Sequence, residues 1–467
     1  MHSDLFFVVR HRLASAERPR TAARMKARRL EILADDRRVG ELREADNLWG
    51  LEYAPAWAVA PDGFDLSPAL PRTTPVHSDG ATLRTVQWYF DNLLPEDALR
   101  TVLAKEAGIA DEDAFGLLAY FGAESAGSLV LRAPGDRAEA STGLRPLSLE
   151  ALDRRIHNLP TDSLTRGAAK RMALAGAQHK MVVVLHDGQL FEPLPGTPST
   201  HILKPNQASG SYPASVMNEF FTMRLAKAVG LDVPAVYRRY VPQPIYVVER
   251  FDRSRPVPGL PASRLHSIDA CQLLNKARSF KYTAATAQTL AQTIEHCRAK
   301  AAARLHHYRW LLFNVLVGNG DNHLKNVSFL VSAQGIGVAL AYDLLCTAAY
   351  ATKAFAYGNA RWPHVKLALS LGNATAFSQV RRAHLLAAGE ALGISGQTAQ
   401  RELDAMTGNL PGQAMRLLAQ IEAAFDGELA RSPNPEAAKL HRAGELRLLR
   451  SIVHVVVADM VARVVRR

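Results

Sequence analysis

The residues with the clearest chemistry fall in one short stretch, Gly318-Asn319-Gly320-Asp321-Asn322-His323-Leu324-Lys325-Asn326, followed by a second acidic position in Ala341-Tyr342-Asp343. Asp321 and Asn326 lie five positions apart, the offset at which phosphoryl-transfer loops set a proton-accepting carboxylate and a metal-binding amide. A carboxylate at Asp321 can accept the proton of an attacking hydroxyl. The amide oxygen of Asn326 and the carboxylate of Asp343 suit Mg²⁺, a hard ion that takes oxygen ligands. His323 and Lys325 lie between them, and a cation there offsets charge growing on transferred phosphoryl oxygens, where preorganised electrostatics carries most of the catalysis. A single Asp or Asn here would read as a polar turn capping a buried helix, since Leu311, Leu312, Val315 and Leu316 form an apolar stripe just before it. The five residues together read as a site.

Such a site needs a turn that covers phosphates, a strand that carries a cation and a helix that orients it. Ala175, Gly176, Ala177, Gln178, His179 and Lys180 lead straight into the apolar strand predicted over 181–185, and small residues let backbone N–H groups approach phosphate oxygens. Alone this signal is weak, because it matches neither G-x-x-x-x-G-K-[ST] nor G-x-G-x-x-G and a plain hairpin turn looks much the same. The strand predicted over 200–204 ends on Lys204, placed to reach nucleotide phosphates. The helix predicted over 216–229 puts Val216, Phe220, Leu225 and Val229 on a core face, with Gly230 as its stop and Pro234 beyond. Glu219 on that helix is placed to pair with Lys204, as a kinase strand lysine pairs with its helix glutamate, whereas solvated side chains are the plainer alternative. Strands over 235–241 and 245–251 follow, and backbone groups at Glu249 and Phe251 are expected to be open to an adenine edge.

The chain as a whole sets bounds. At 467 residues with 48% hydrophobic content it is long enough for two or three units with real cores. A net charge of +12 and a pI near 9.7 draw it to polyanions such as nucleotides, tRNA or DNA, although a generally basic surface reads the same way. Cys271, Cys297 and Cys346 are too few and too scattered for a disulfide framework or a zinc site, which fits a reducing cytoplasm. No apolar run approaches the roughly 20 residues that cross a bilayer.

In chain order, residues 1–29 read as a flexible basic arm, or as a start placed ahead of Met25, rather than as an organellar transit peptide. A hairpin over 30–42, a further strand at 48–53, an aromatic helix at 86–96 and a helix at 98–107 form a small α+β unit over 30–145 in which no catalytic constellation is legible. The stretch at 133–143 is the linker candidate. A strand-rich unit over 146–255 and an α-rich unit over 256–467 complete the chain, the latter with helices predicted over 290–317, 380–392 and 437–464. The expected class is α+β, a two-lobed protein-kinase-like fold with a small N-terminal subdomain and an α-rich C-lobe.

The chain of motifs resembles the HipA-type serine/threonine kinase toxins of bacterial type II toxin–antitoxin systems. The pieces are Phe90-Asp91-Asn92-Leu93-Leu94-Pro95, Ala175 to Lys180, Thr200-His201-Ile202-Leu203-Lys204, Asn218-Glu219, Val248-Glu249-Arg250-Phe251-Asp252-Arg253, Asp321-Asn322-His323-Leu324-Lys325-Asn326 and Tyr342-Asp343. The resemblance implies ATP and Mg²⁺ in a cleft between lobes, Asp321 as general base, and Asn326 and Asp343 as metal ligands. It puts Lys204, His323, Lys325 and Tyr342 against the nucleotide, with the 175–180 turn over the triphosphate and Glu249 to Phe251 at adenine. It further implies a cytoplasmic bacterial protein that phosphorylates a serine of an aminoacyl-tRNA synthetase, most familiarly the glutamyl enzyme, and is neutralised by a HipB-like DNA-binding antitoxin that represses the operon. Two positions depart from the family. The serine commonly autophosphorylated ahead of the glycine-containing loop is Ala173 here, so that switch is absent or has moved. Basic residues that some relatives place on a C-lobe helix for operator DNA appear as Glu390 and Gly393, so DNA contact is expected to be indirect, through the antitoxin.

Two other classes compete with an active toxin kinase: a catalytically quiet corepressor that binds the antitoxin, and a small-molecule kinase of the aminoglycoside type. The intact Lys204, Asp321, Asn326 and Asp343 set argues against the first. The N-terminal subdomain and the order of residues 321–326 argue against the second.

Overall fold

The computed structural model describes residues 27–135, 141–172, 174–254 and 262–466. The expectations for the N-terminal arm up to residue 26, for the linker at 136–140 and for Ala173 concern residues outside that set.

The N-terminal unit is an antiparallel five-stranded sheet in the order Val76–Ser78, Leu48–Tyr53, Arg37–Ala45, Arg28–Ala34, Leu129–Arg132. Alternation decides its faces: Leu30, Ile32, Leu42, Trp49, Leu51 and Tyr53 are buried, and helices Thr85–Asp91, Asp97–Ala107 and Ala114–Phe121 contribute Phe90, Leu103 and Leu118 to the same core. The aromatic helix stops at Asp91, short of the predicted 96, and the chain turns before Pro95.

The second unit is an antiparallel six-stranded sheet in the order Val236–Tyr240, Pro244–Glu249, His201–Pro205, Met181–His186, Gln189–Pro193, Leu144–Pro146. Its strands Met181–His186, His201–Pro205 and Pro244–Glu249 are mostly buried, and helix Ser215–Ala228 packs on one face. That helix is buried nearly all round because the helices of the C-lobe cover its other side.

The C-lobe is built on helices Ala287–Glu295, Lys300–Leu316, Arg382–Ala391, Gly396–Leu429, Pro435–Ser451 and Ala458–Val465, with a small sheet of Ser267–Asp269, Ser328–Ser332 and Gly335–Val338 at the cleft. The single helix predicted over 290–317 is two, because Arg298 N–H donates to Ile336 O at 2.9 Å and pulls the chain onto the small sheet. The 34-residue helix Gly396–Leu429 falls outside the predicted helices and carries Gly408, Pro411 and Gly412 in its interior. Burial of Leu403, Leu410, Leu417, Ile421 and Phe425 along one face outweighs the cost of about 3 kcal/mol for an interior proline. The two-lobed α+β class expected from the sequence is the one observed.

Candidate active site

The strand-rich unit and the C-lobe enclose a cavity of about 270 Å³. Ala175, Gly176, Ala177, Gln178, Lys180, Lys204, Glu219, Glu249, Phe251, Asp321, His323, Lys325, Asn326, Tyr342 and Asp343 all line it. His179 does not. Its ring lies in a small pocket with Leu99, Leu103 and Leu164, so the expected contact with a nucleotide is corrected: His179 turns away from the cavity that Ala175 to Gln178 line.

At the centre, Lys204 Nζ donates to Glu219 Oε1 at 2.8 Å and to Asp343 Oδ1 at 2.6 Å. The strand ends where its lysine enters the cleft, and the helix brings Glu219 beneath it. Asp343 reaches Lys204 from the C-lobe on a backbone with φ of 56°, which aims the carboxylate inward. Burial pushes the Glu219 carboxyl up to about 7. Burial acts the same way on Asp343, but Lys204 and then Lys180 hold it below the usual carboxylate range. Lys180, whose Nζ donates to Ala175 O at 2.5 Å, is pushed down to about 8 by burial and then by Lys204.

The proton-accepting candidate lies opposite. Asp321 accepts a hydrogen bond from the Tyr282 hydroxyl on Oδ1, and His323 Nε2 is 4.0 Å from the same oxygen. Burial raises the Asp321 carboxyl and lowers the His323 imidazole, with each partly offsetting the shift of the other. Asn326 Nδ2 donates to the Asp321 carbonyl at 2.8 Å, which turns the amide oxygen of Asn326 away from the loop backbone. His323 Nδ1 is buried without a hydrogen-bond partner among the described residues.

Lys325 is placed differently from the expectation. Its Nζ donates to Asn92 O at 2.8 Å, Asn92 Oδ1 at 2.9 Å and Asp269 Oδ2 at 2.7 Å, so all three ammonium protons are engaged and none faces a transferred phosphoryl group. Glu96 Oε1 is 3.6 Å away, and Glu96 Oε2 accepts from Lys281. Burial would raise the Glu96 carboxyl, yet Lys325 and Lys281 hold it down. The N-terminal unit, which showed no constellation in the sequence, thus supplies Asn92 and Glu96 to the cavity wall. It also pins the turn: Pro95 pairs with Gly176, and Glu96 N–H donates to Gly176 O at 3.3 Å.

On the base-binding side, the rings of Phe251 and Tyr342 stack with centroids 5.2 Å apart, and Tyr342 OH donates to Lys325 O at 2.7 Å. The Glu249 N–H, expected to be open, donates instead to Ala235 O at 2.9 Å as a continuation of the strand ladder. The segment after Glu249 is tied down from behind. Fully buried Glu124 accepts from Arg250 at 3.0 Å, Arg253 at 2.6 Å and Lys170 at 2.6 Å. Against the upward push of burial, Lys170 and the arginines hold its carboxyl well below the usual range.

The donor chemistry fits a magnesium nucleotide. Asn326 and Asp343 offer hard oxygens beside buried lysines. Mg²⁺ typically takes one or two carboxylates and completes its shell with phosphates and water, a demand that Asp343 and the Asn326 amide oxygen would meet.

Comparisons with known proteins agree over most of the chain. The profile of the HipA N-terminal domain matches residues 30–132 and that of the HipA-like C-terminal domain matches residues 172–414. A Sinorhizobium fredii protein named as a kinase is 37% identical over 339 residues, covering 70% of this chain and 79% of that protein. The serine/threonine-protein kinase toxin HipA of Shewanella oneidensis is 32% identical over 345 residues, covering 69% of this chain and 76% of that one. In the solved complex of Shewanella oneidensis HipA with HipB and operator DNA, the matched chain has a TM-score of 0.71 at 25% identity, with 93% of this chain and 99% of that chain covered.

Proposed function

The chain belongs to the HipA family, and we propose on that footing that it is an ATP-dependent serine/threonine protein kinase acting as a toxin. The observation that carries this reading is the Lys204 ammonium held between Glu219 and Asp343, facing Asp321 and Asn326 across one cavity. Lys204 neutralises nucleotide phosphates, and the 175–180 turn closes over them. Asn326 and Asp343 would hold Mg²⁺, which would neutralise charge on the phosphates. Asp321 takes the proton of the attacking serine or threonine hydroxyl. Phe251 and Tyr342 receive the base, with Glu249 beside them on the cavity wall. His323 stands beside Asp321, and Lys325 braces the loop from behind.

The substrate is a translation component, an aminoacyl-tRNA synthetase, with the glutamyl enzyme the first to try. The partner is a HipB-like antitoxin. The solved relative's assembly with HipB and operator DNA supports that partner, and DNA is reached through it. Expression in a bacterial host tests the toxin reading. The wild-type chain arrests growth, and Asp321→Ala relieves the arrest. Equal arrest by the two, or none by the wild type, counts against it.

A further inference from the structure

A hydroxyl from outside the phosphoryl-transfer motifs touches the proton-accepting carboxylate. Tyr282 OH donates to Asp321 Oδ1, and its ring meets the His323 ring edge-on with centroids 4.8 Å apart. The segment that carries it is tied down on both sides. Leu324 N–H, within the Asp321–Asn326 loop, donates to Lys281 O at 3.1 Å, and the Lys281 side chain binds Glu96 and lies 3.8 Å from Asp97 of the N-terminal unit. Behind Tyr282, Ala285 N–H donates to Tyr282 O at 3.0 Å and closes the turn.

We propose that Tyr282 is a positioning residue for the phosphoryl-transfer base, its hydroxyl holding one oxygen of Asp321 so that the other faces the substrate hydroxyl. Packing does not demand the hydroxyl, because Tyr282 is 43% exposed. A phenol at such a site would ordinarily bond to water, whereas here it is aimed at a carboxylate. A neutral donor suits the task. It restricts the carboxylate torsion without the strong, proton-competing pairing that a Lys or Arg would impose on a base. Lys281, the cation next along the chain, is directed away to Glu96, and His323 Nε2 stays 4.0 Å from the carboxylate. An unrestrained carboxylate would sample rotamers that turn its free oxygen off the line of attack, and small misplacements of a reacting group cost rate steeply.

The inference rests on the kinase reading, and the test separates the two. Purified full-length wild type, Tyr282→Phe and Asp321→Asn are assayed for phosphate transfer from γ-labelled ATP to lysate protein, together with the KM for ATP and the thermal midpoint. Tyr282→Phe keeps the ring and its contact with His323, so kcat falls about tenfold, the value of one hydrogen bond to a charged group, while the ATP KM and the midpoint stay put. An unchanged kcat overturns the proposal, as does a fall matched by a rise in the ATP KM or by a lowered midpoint. Absence of transfer by the wild type overturns the kinase reading instead.

Discussion

Lys204 Nζ and Asp343 Oδ1 lie 2.6 Å apart, joining the last residues of a strand in one lobe to a loop in the other. The contact is shielded, with Lys204 8% exposed, and the same ammonium carries Glu219. Lys204→Met keeps the length of the stem and removes the charge. It leaves two carboxylates facing each other, so stability drops by about 3 kcal/mol in urea titration and transfer falls at least about 100-fold. A variant as stable and active as the wild type would show that the bridge is incidental.

Gly176 adopts φ of 107°, and a Cβ there would come within 2.6 Å of Lys180 Nζ. Gly176→Ala therefore strains the turn and displaces the Lys180 ammonium from the cleft. The KM for ATP rises about tenfold while the thermal midpoint shifts little. An unchanged KM would separate this turn from nucleotide binding.

Lys325 joins the Asp321–Asn326 loop to Asn92 across 233 positions of sequence and to Asp269 across 56. Lys325→Met leaves Asp269 buried without its cation and Glu96 with Lys281 alone. A loss of about 3 kcal/mol or more follows, detectable as a lower denaturant midpoint, together with loss of kinase activity. Lys325→Met with wild-type stability would mean the N-terminal unit does not brace the loop.

The kinase half of this arrangement was legible in sequence because its parts lie in short windows with strong local signals. Asp321 and Asn326 share one loop, and Lys204 and Glu219 sit at the end of an apolar strand and inside the next helix. Pairing across the chain was not legible. Asn92 and Glu96 carry no motif chemistry of their own and acquire a role when Lys325 and Lys281 fold against them. The direction of a side chain was equally hidden: Lys325 was expected at the phosphoryl group and His179 at the nucleotide, but spacing does not report which way either points. Tyr282 had one signal, a lysine–tyrosine pair on a polar turn ahead of the catalytic stretch, and nothing in the sequence said which carboxylate the hydroxyl would meet.

His266 ties the units together in neutral form. Its Nε2 lies 3.1 Å from Leu66 O, its Nδ1 lies 3.2 Å from Ser128 Oγ, and its ring stacks on Phe64 at 4.3 Å. Burial pushes its imidazole down to about 4. Below the ordinary value of about 6.5 the unfolded chain takes up the proton first, so this stabilisation is complete above that pH and is lost as the pH falls toward 4, on the order of 3 kcal/mol in all. His266→Phe, which cannot titrate, therefore destabilises more at pH 7.5 than at pH 5, as read from denaturant midpoints. An equal cost at the two pH values would contradict a neutral buried imidazole.

The most direct measurement is transfer of phosphate from γ-labelled ATP by the purified chain to proteins of a bacterial lysate, with the labelled residue identified by mass spectrometry. Wild type is predicted to place phosphate on serine or threonine of a discrete lysate protein, and Asp321→Asn, nearly isosteric with no basic oxygen pair, to place none. Labelling by Asp321→Asn at the wild-type rate, or none by a folded wild type, would contradict the account.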